Sequence, residues 1–368
     1  MTTFRIQLLF AACVVLPMIA AIGCRRNTAG QRVDPKLVSH LRSLSVVGPN
    51  HVALVVEQPG ETGSNRSWPH SEIRITADNG NKWSIVPAEV IGDTLACATM
   101  TASGRGWAIN RQGQVFVTSS AGATWTKAAD PKLSSKPEET LATADRIEFL
   151  NDTDGWAQAG LSVWRTMDGG LTWQETLSTL TPGVHGQPTG MFLIDVNTVL
   201  ISGSNGQVYL TRDRGNTWRI QSPLSGNFDF RDVWFVNQKH GWLTGWKSLR
   251  PLLLETLDGG ESWTEIPIEA DILPTSVCFV GDEGWLAGDR RIDDGQSAKL
   301  VGTLLHTDDG GKHWNEIQFG QDEPFFTQVR FTDKGHGWLV GRDSLYRSED
   351  GGKTWKVVLS LPPVKTAS

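Results

Sequence analysis

Six aspartates recur at one spacing: Asp78, Asp168, Asp213, Asp258, Asp309 and Asp350, each two residues before a glycine and five before a tryptophan. Carboxylates in that number suit acid–base work, and a glycosidase needs a pair of them about 5–10 Å apart. A hydrolase with a phenolic nucleophile would have to use Tyr209 or Tyr346, the two tyrosines of the chain. Adjacent acids at Asp282-Glu283, Asp308-Asp309 and Glu138-Glu139 fall in turns and loops, where such pairs are solvated. The eight histidines do not cluster at metal-ligand spacing, and His240 and His336 take matching places before a Gly-Trp pair. Neither a metal nor another cofactor is expected.

The elements that carry these aspartates decide what they can do. Each belongs to an eight-residue phrase, Ser/Thr-x-Asp-x-Gly-x-(Thr/Ser)-Trp, that occurs seven times and ends in Trp83, Trp125, Trp173, Trp218, Trp263, Trp314 and Trp355. The steps between these tryptophans are 42, 48, 45, 45, 51 and 41 residues, a period that marks solenoids or propeller blades. An Asp at the head of a turn accepts hydrogen bonds from N–H groups that the turn leaves unpaired. The fifth position is glycine in all seven copies, Gly80 to Gly352, which predicts a positive φ there. The closing Trp is expected to begin the next strand and cover the hairpin with its ring. On this reading each aspartate works locally in its own turn, and the phrase is a hairpin lock.

The phrase is similar to the Asp-box, or bacterial neuraminidase repeat, of sialidases, sortilin-type receptors and related propellers. Five copies follow a second mark, at Gly106-Trp107, Gly155-Trp156, Gly241-Trp242, Gly284-Trp285 and Gly337-Trp338, which three times continues as Trp-Leu-x-Gly. The combination resembles the photosystem II stability and assembly factor family and its bacterial relatives over roughly residues 40–360. That resemblance implies a propeller that binds a protein during assembly of a membrane complex. The sialidase resemblance implies instead an arginine cluster, a Tyr–Glu pair and an Arg-Ile-Pro opening motif. Tyr209 and Tyr346 both precede the first box position by two, a mostly apolar place where the other copies carry Arg74, Phe116, Trp164, Leu254 and Leu305. They therefore read as packing residues, and the Arg-Ile-Pro motif is missing.

Alternation and turn signals sketch four strands, a to d, per unit. The seventh unit reads Gln328–Phe331, Gly337–Gly341, Ser344–Arg347 and Thr354–Leu359. Seven units in one register predict an all-β fold, a seven-bladed β-propeller of four-stranded antiparallel blades with Asp-box turns. The a–b turns and boxes then share one face, and the b–c and d–a connections share the other. Nearly every irregular insertion falls on the second face, including 247–251 and 289–302. Insertions that depart from a repeat are where such scaffolds carry function. The candidate partner-binding face is therefore marked by Arg250, Arg290, Arg291, Asp293 and Asp294.

Arg5 precedes an apolar run from Leu8 to Ile22, and Ala21-Ile22-Gly23-Cys24 follows, which resembles a lipoprotein signal. The expected organisation is a signal peptide over 1–23, a lipidated tether over 24–40, the propeller over 41–361 and a tail over 362–368. Cys24 would carry the lipid, placing the chain in the cell envelope on a membrane. Cys97 and Cys278 remain, each in the first strand of a different unit, and read as buried free thiols. A net charge of −6 without a basic stripe argues against nucleic acid. Twelve of the 16 tryptophans occupy repeat positions, so their abundance reports blades and not a ligand cage. The leading expectation is a monomeric, lipid-anchored propeller that binds a protein partner as an assembly, stability or scaffold factor, with no enzymatic activity. The alternative is a carbohydrate-active propeller of the envelope, and a purely structural lipoprotein is the third.

Overall fold

Each eight-residue phrase closes one sheet, and the computed structural model arranges seven such sheets as a β-propeller. The structure describes residues 40–361 except 59–69, 92–93, 129–131, 134–140, 142–143, 179–180, 225, 227, 294–297 and 320–324. Cys24, Asp294 and the expected signal, tether and tail thus lie outside the described residues. Every blade is built from four consecutive antiparallel strands. In blade 7 these are Phe326–Phe331, Gly337–Gly341, Ser344–Ser348 and Lys356–Ser360. The first strands, among them Ala144–Phe149, Asp229–Phe235 and Leu273–Val280, line the middle of the ring. A two-residue strand, Lys132–Leu133, adds in parallel to the outer strand of blade 3. In six blades the outer strand starts one residue after the closing tryptophan, so Trp ends the turn where the sequence suggested it opens the strand.

Blades pack through a repeated aromatic wedge. The second-strand tryptophan of one blade stacks on a first-strand phenylalanine of the next: Trp107 on Phe149 at 3.5 Å, Trp242 on Phe279 at 3.7 Å, Trp285 on Phe331 at 3.4 Å. That phenylalanine meets its own blade's box tryptophan edge-on, at 88° for Trp173, 79° for Trp314 and 88° for Trp355. Edge-on pairs of this kind add about 0.5–1.5 kcal/mol each beyond area burial. In four of the five Gly-Trp pairs the glycine makes room for a first-strand phenylalanine, whose ring lies upon it, while Gly106 faces Met100. A Cβ on Gly155, Gly241, Gly284 or Gly337 would stand 2.2 to 2.5 Å from that ring.

No strand is exchanged to close the ring, since blades 1 and 7 each hold four strands from one continuous stretch. Leu41, Leu44, Val52, Leu54 and Val56 of blade 1 form one buried cluster with Trp338, Val340, Leu345 and Leu359 of blade 7. The Trp83 indole N–H donates to the Val358 carbonyl at 3.3 Å, and the Leu41 N–H to the Arg342 carbonyl at 3.2 Å. Cys97 and Cys278 are buried free thiols, as expected.

Candidate functional site: two faces and a charged channel

The box face is a set of locks whose polar atoms are used up. The hydroxyl at position one accepts the N–H of the position-five glycine in all seven blades, at 2.8 to 3.1 Å. In six blades it donates to the box aspartate, as from Thr256 to Asp258 at 2.8 Å. The aspartate then accepts the backbone N–H of position seven, and in blades 3, 4, 5 and 7 its second oxygen accepts that residue's hydroxyl at 2.6 Å. Side-chain bonds from Thr217 and Ser262, with the backbone N–H groups beside them, hold Asp213 and Asp258 below the usual carboxylate range. Ser120 replaces the aspartate in blade 2 and accepts the Thr124 N–H at 2.9 Å.

The position-five glycines all have positive φ, from 80° to 94°, as the sequence predicts. Position four, which sequence reasoning passed over, is left-handed too, with φ from 52° to 80°, even where it is Asn79, Ala121 or Arg214. Its N–H donates to a carbonyl of the same blade's a–b turn in all seven blades, at 2.8 to 3.2 Å. This bond fixes the boxes and the a–b turns on one face. The expected division into a standardised face and a variable face follows from it.

On the variable face the structure replaces an expected loop with a strand pair. The second and third strands of blade 6, Glu283–Asp293 and Ala298–Thr307, run past the rest of the sheet as a hairpin, with Arg290 opposite Val301 and Arg291 opposite Leu300. The first strand of the blade stops pairing at Asp289, which leaves Arg290 to Asp293 on an open edge. Arg290 reaches Glu316 at 2.9 Å, Arg291 is exposed, and Asp293 sits where the hairpin ends. Arg250 is one blade away, at the start of the third strand of blade 5, and pairs with Glu265. Arg250 therefore stands apart from Arg290, Arg291 and Asp293, and the four described candidates do not converge on one point. The turn before Arg250 is tight, with Ser248 and Leu249 both at positive φ, and it holds the Leu249 side chain 59% exposed.

At the root of the hairpin, Asp289 accepts the Phe326 N–H at 3.2 Å. Burial pushes its pKa up to about 7, against the pull of that hydrogen bond. With the folded value raised, folding favours the protonated acid. The stability contribution is full below the ordinary carboxylate pKa of about 3.9 and is lost as pH rises through about 7. Asp289→Asn keeps an acceptor for Phe326 and removes the charge. It is expected to raise stability at pH 8 by about 1–2 kcal/mol and to change little at pH 4, as thermal melts at both pH values would read.

The residues that sequence reasoning missed line the central channel. Two joined cavities of about 390 and 290 Å³ share Leu44, Arg146, Glu148, Gln328 and Arg330 at their meeting point. The cavity toward the variable face is polar, lined by Ser43, Arg111, Asp145, Thr275, Ser276 and Thr327. The cavity toward the box face is mixed, with Met100, Met191, Phe192 and Trp234 beside Ser45, Thr99 and Thr332. In the wall, Asp232 of blade 5 accepts from Ser276 of blade 6 at 2.8 Å and pairs with Arg330 of blade 7 at 3.1 Å. Arg330 also donates to Ser276 Oγ and to the Val329 carbonyl, each at 2.8 Å. Burial raises Glu148, with Arg146 and Arg330 pulling against it.

Neither tyrosine is placed to attack a substrate. Tyr209 is fully buried, donates to the Gly186 carbonyl at 2.7 Å, and is pushed up to about 12 by burial. Tyr346 packs edge-on to Phe319 and Phe326. His240 bonds Glu255 at 2.8 Å and His336 bonds Asp333 at 2.9 Å, each inside its own blade. Among the described residues no group of three His, Cys, Asp or Glu is arranged to hold a metal ion.

A photosystem II assembly lipoprotein Ycf48 from Synechococcus sp. (strain CC9902) is 30% identical over 133 residues, covering 34% of this chain and 35% of that one. The chloroplast photosystem II stability/assembly factor HCF136 of Oryza sativa subsp. japonica is 29% identical over 150 residues, 39% of this chain and 32% of that one. The chain thus matches about a third of the length of these curated relatives. A solved structure described as YCF48 bound to D1 peptide superposes with a TM-score of 0.63 over 84% of this chain and 93% of that one, at 15% identity, a likeness of fold. The profile of the family described as photosynthesis system II assembly factor YCF48 matches residues 75–226 and 223–325. Most of the propeller is thereby covered, and the chain belongs to that family.

Proposed function

We propose that this chain is a protein-binding assembly or stability factor, tethered to a membrane in the cell envelope through a lipid on Cys24, and not an enzyme. The contrast between the faces carries the reading. The seven box turns spend their polar groups on themselves, whereas the opposite face holds the overhanging hairpin with Arg290 and Arg291, and the exposed Leu249. Relatives named as photosystem II assembly factors, and a structural neighbour bound to a D1 peptide, supply the class of partner. An exposed aliphatic tip beside arginines suits a rim where apolar anchoring and charge steering act together. The box aspartates are each bound within a different blade, so they do not form the carboxylate pair that glycoside cleavage needs.

A labelled D1 peptide titrated into the full chain tests the partner. Binding with a Kd of about 1–100 μM is expected. The double substitution Arg290→Glu/Arg291→Glu should weaken it at least about tenfold, and Lys353→Glu on the box face should not. Failure of the wild-type chain to bind would retire the D1-type partner. Equal loss in all variants would move the site off the variable face. Metabolic labelling with an alkyne fatty acid should mark the wild-type chain and not Cys24→Ser; labelling of both, or of neither, would refute the anchor.

A further inference from the structure

We propose that Met167 is a reversible oxidation site, at which a peroxide converts the thioether to a sulfoxide whose oxygen is then held by Arg165 of the same blade and Arg214 of the next. Three observations support it. The first is access. Met167 takes the second position of the blade 3 box, and its side chain is 50% exposed. Met100 and Met191 are 6% and 3% exposed, so among the described residues Met167 is the one methionine that a solute reaches. The Thr166 hydroxyl, bonded to Asp168 at 2.8 Å, fixes the backbone on either side of it.

The second observation is what surrounds the sulfur. Arg165 Nη2 points at Met167 Sδ from 2.7 Å, and Arg214 Nη1 points at it from 3.9 Å. Arg165 is 7% exposed, and its other terminal nitrogen donates to the Arg214 carbonyl. Arg214 Nε donates to Asn197 at 3.0 Å. Neither guanidinium forms an ion pair among the described residues. The carboxylates whose charge acts on Arg165, Asp154 and Asp213, are bound by Thr153 and by Thr211 and Thr217. Two cations thus converge on a thioether, which is a weak acceptor.

The third is chemical fit. A sulfoxide oxygen carries partial negative charge, so guanidinium bonds to it are of the stronger, charge-assisted kind. Methionine turns about three bonds, which lets an oxygen added on the solvent side swing to the two arginines. In the reaction a sulfur lone pair attacks one oxygen of hydrogen peroxide and the O–O bond breaks. Sulfur loses two electrons, and the departing oxygen leaves as water with both protons. The guanidiniums stand beside the negative charge that develops on that oxygen. Methionine sulfoxide reductases restore the thioether. Oxidation here adds a tie between blades 3 and 4, whereas in a core it would disrupt packing. The site is on the box face and does not rest on the partner-binding reading.

Dilute hydrogen peroxide applied to the folded full chain, followed by peptide mass mapping and a thermal melt, tests this. Met167 should gain one oxygen while Met100 and Met191 stay reduced. The oxidised chain should melt at least about 1 °C above the untreated one, and the two epimer-specific reductases together should reverse both changes. Met167→Leu, treated identically, should show no shift, which sets aside Met1 and Met18. Arg214→Gln should still be oxidised but lose the rise in melting temperature. The wild-type comparison before and after reduction stands even if Arg214→Gln fails to fold. The proposal is overturned if Met167 stays reduced where free methionine is oxidised, or if its sulfoxide leaves the melting temperature unchanged or lower. It is also overturned if folded Arg214→Gln keeps the full rise.

Discussion

Gly352→Ala is expected to destabilise the propeller by about 2–5 kcal/mol, while its neighbour Lys353→Ala stays within about 0.5 kcal/mol. Two costs add at Gly352. Its φ is +86°, which an L side chain adopts at about 1–2 kcal/mol. An added Cβ would also stand 2.7 Å from the Trp285 indole nitrogen and 3.2 Å from the Phe331 ring. Those rings are stacked on one another at 3.4 Å, so neither can retreat without opening the joint between blades 6 and 7. Overpacking a site of that kind costs about 1–3 kcal/mol. The Lys353 side chain is exposed, and the backbone N–H that it lends to Asp350 is kept in the alanine variant. Urea unfolding of both variants, compared by midpoint with the slope checked for constancy, decides the matter. Equal small losses would mean that the fifth position is not a strained joint.

Arg330→Met is expected to cost about 3–5 kcal/mol, because it leaves Asp232 buried without its counter-charge. The Asp232 side chain is 3% exposed and that of Arg330 is 12%. Their pairing crosses blade 6, where Ser276 bonds both, and Arg330 also lies over the Trp234 ring at 5.1 Å. A buried ion pair is worth little against a well-packed apolar substitute, but half of one is expensive. The double substitution Asp232→Leu/Arg330→Met should therefore recover much of what the single one loses. A double-mutant cycle by chemical denaturation should give a coupling above about 1 kcal/mol. Additive losses would show that the network is a bystander to the joining of these blades.

Repetition governs how much could be read in advance. Gly80 to Gly352, the six box aspartates and the box tryptophans appear in the same frame seven times, so their structural job is visible without coordinates. The second-strand tryptophans were visible as a pattern, but not as wedges, because their stacking partners belong to the following blade. The channel lining was illegible for a different reason. Arg146, Asp232, Ser276 and Gln328 occupy the same place, three residues before a first-strand phenylalanine, yet no two share a chemical type. Aligning the first strands on Phe149, Phe235, Phe279 and Phe331 would have exposed that column, and polar residues in an otherwise apolar strand were the signal. The overhang at Arg290 and Arg291 read as a loop because the alternation that marks a strand is broken by a charged run, 289–291, which only the pairing to Gly302, Val301 and Leu300 organises.

The uninterrupted blades bear on ancestry. Where a ring borrows one strand from its other end to seal itself, gain or loss of a unit must preserve that shared sheet. Here a gene duplication or deletion cut at any point between sheets moves an intact blade, and the seam of leucines, valines and Trp338 has only to accept a new neighbour. Lineages carrying such a chain are free to vary in ring size by whole units, and a circularly permuted gene opened between any two blades should still encode a closed ring.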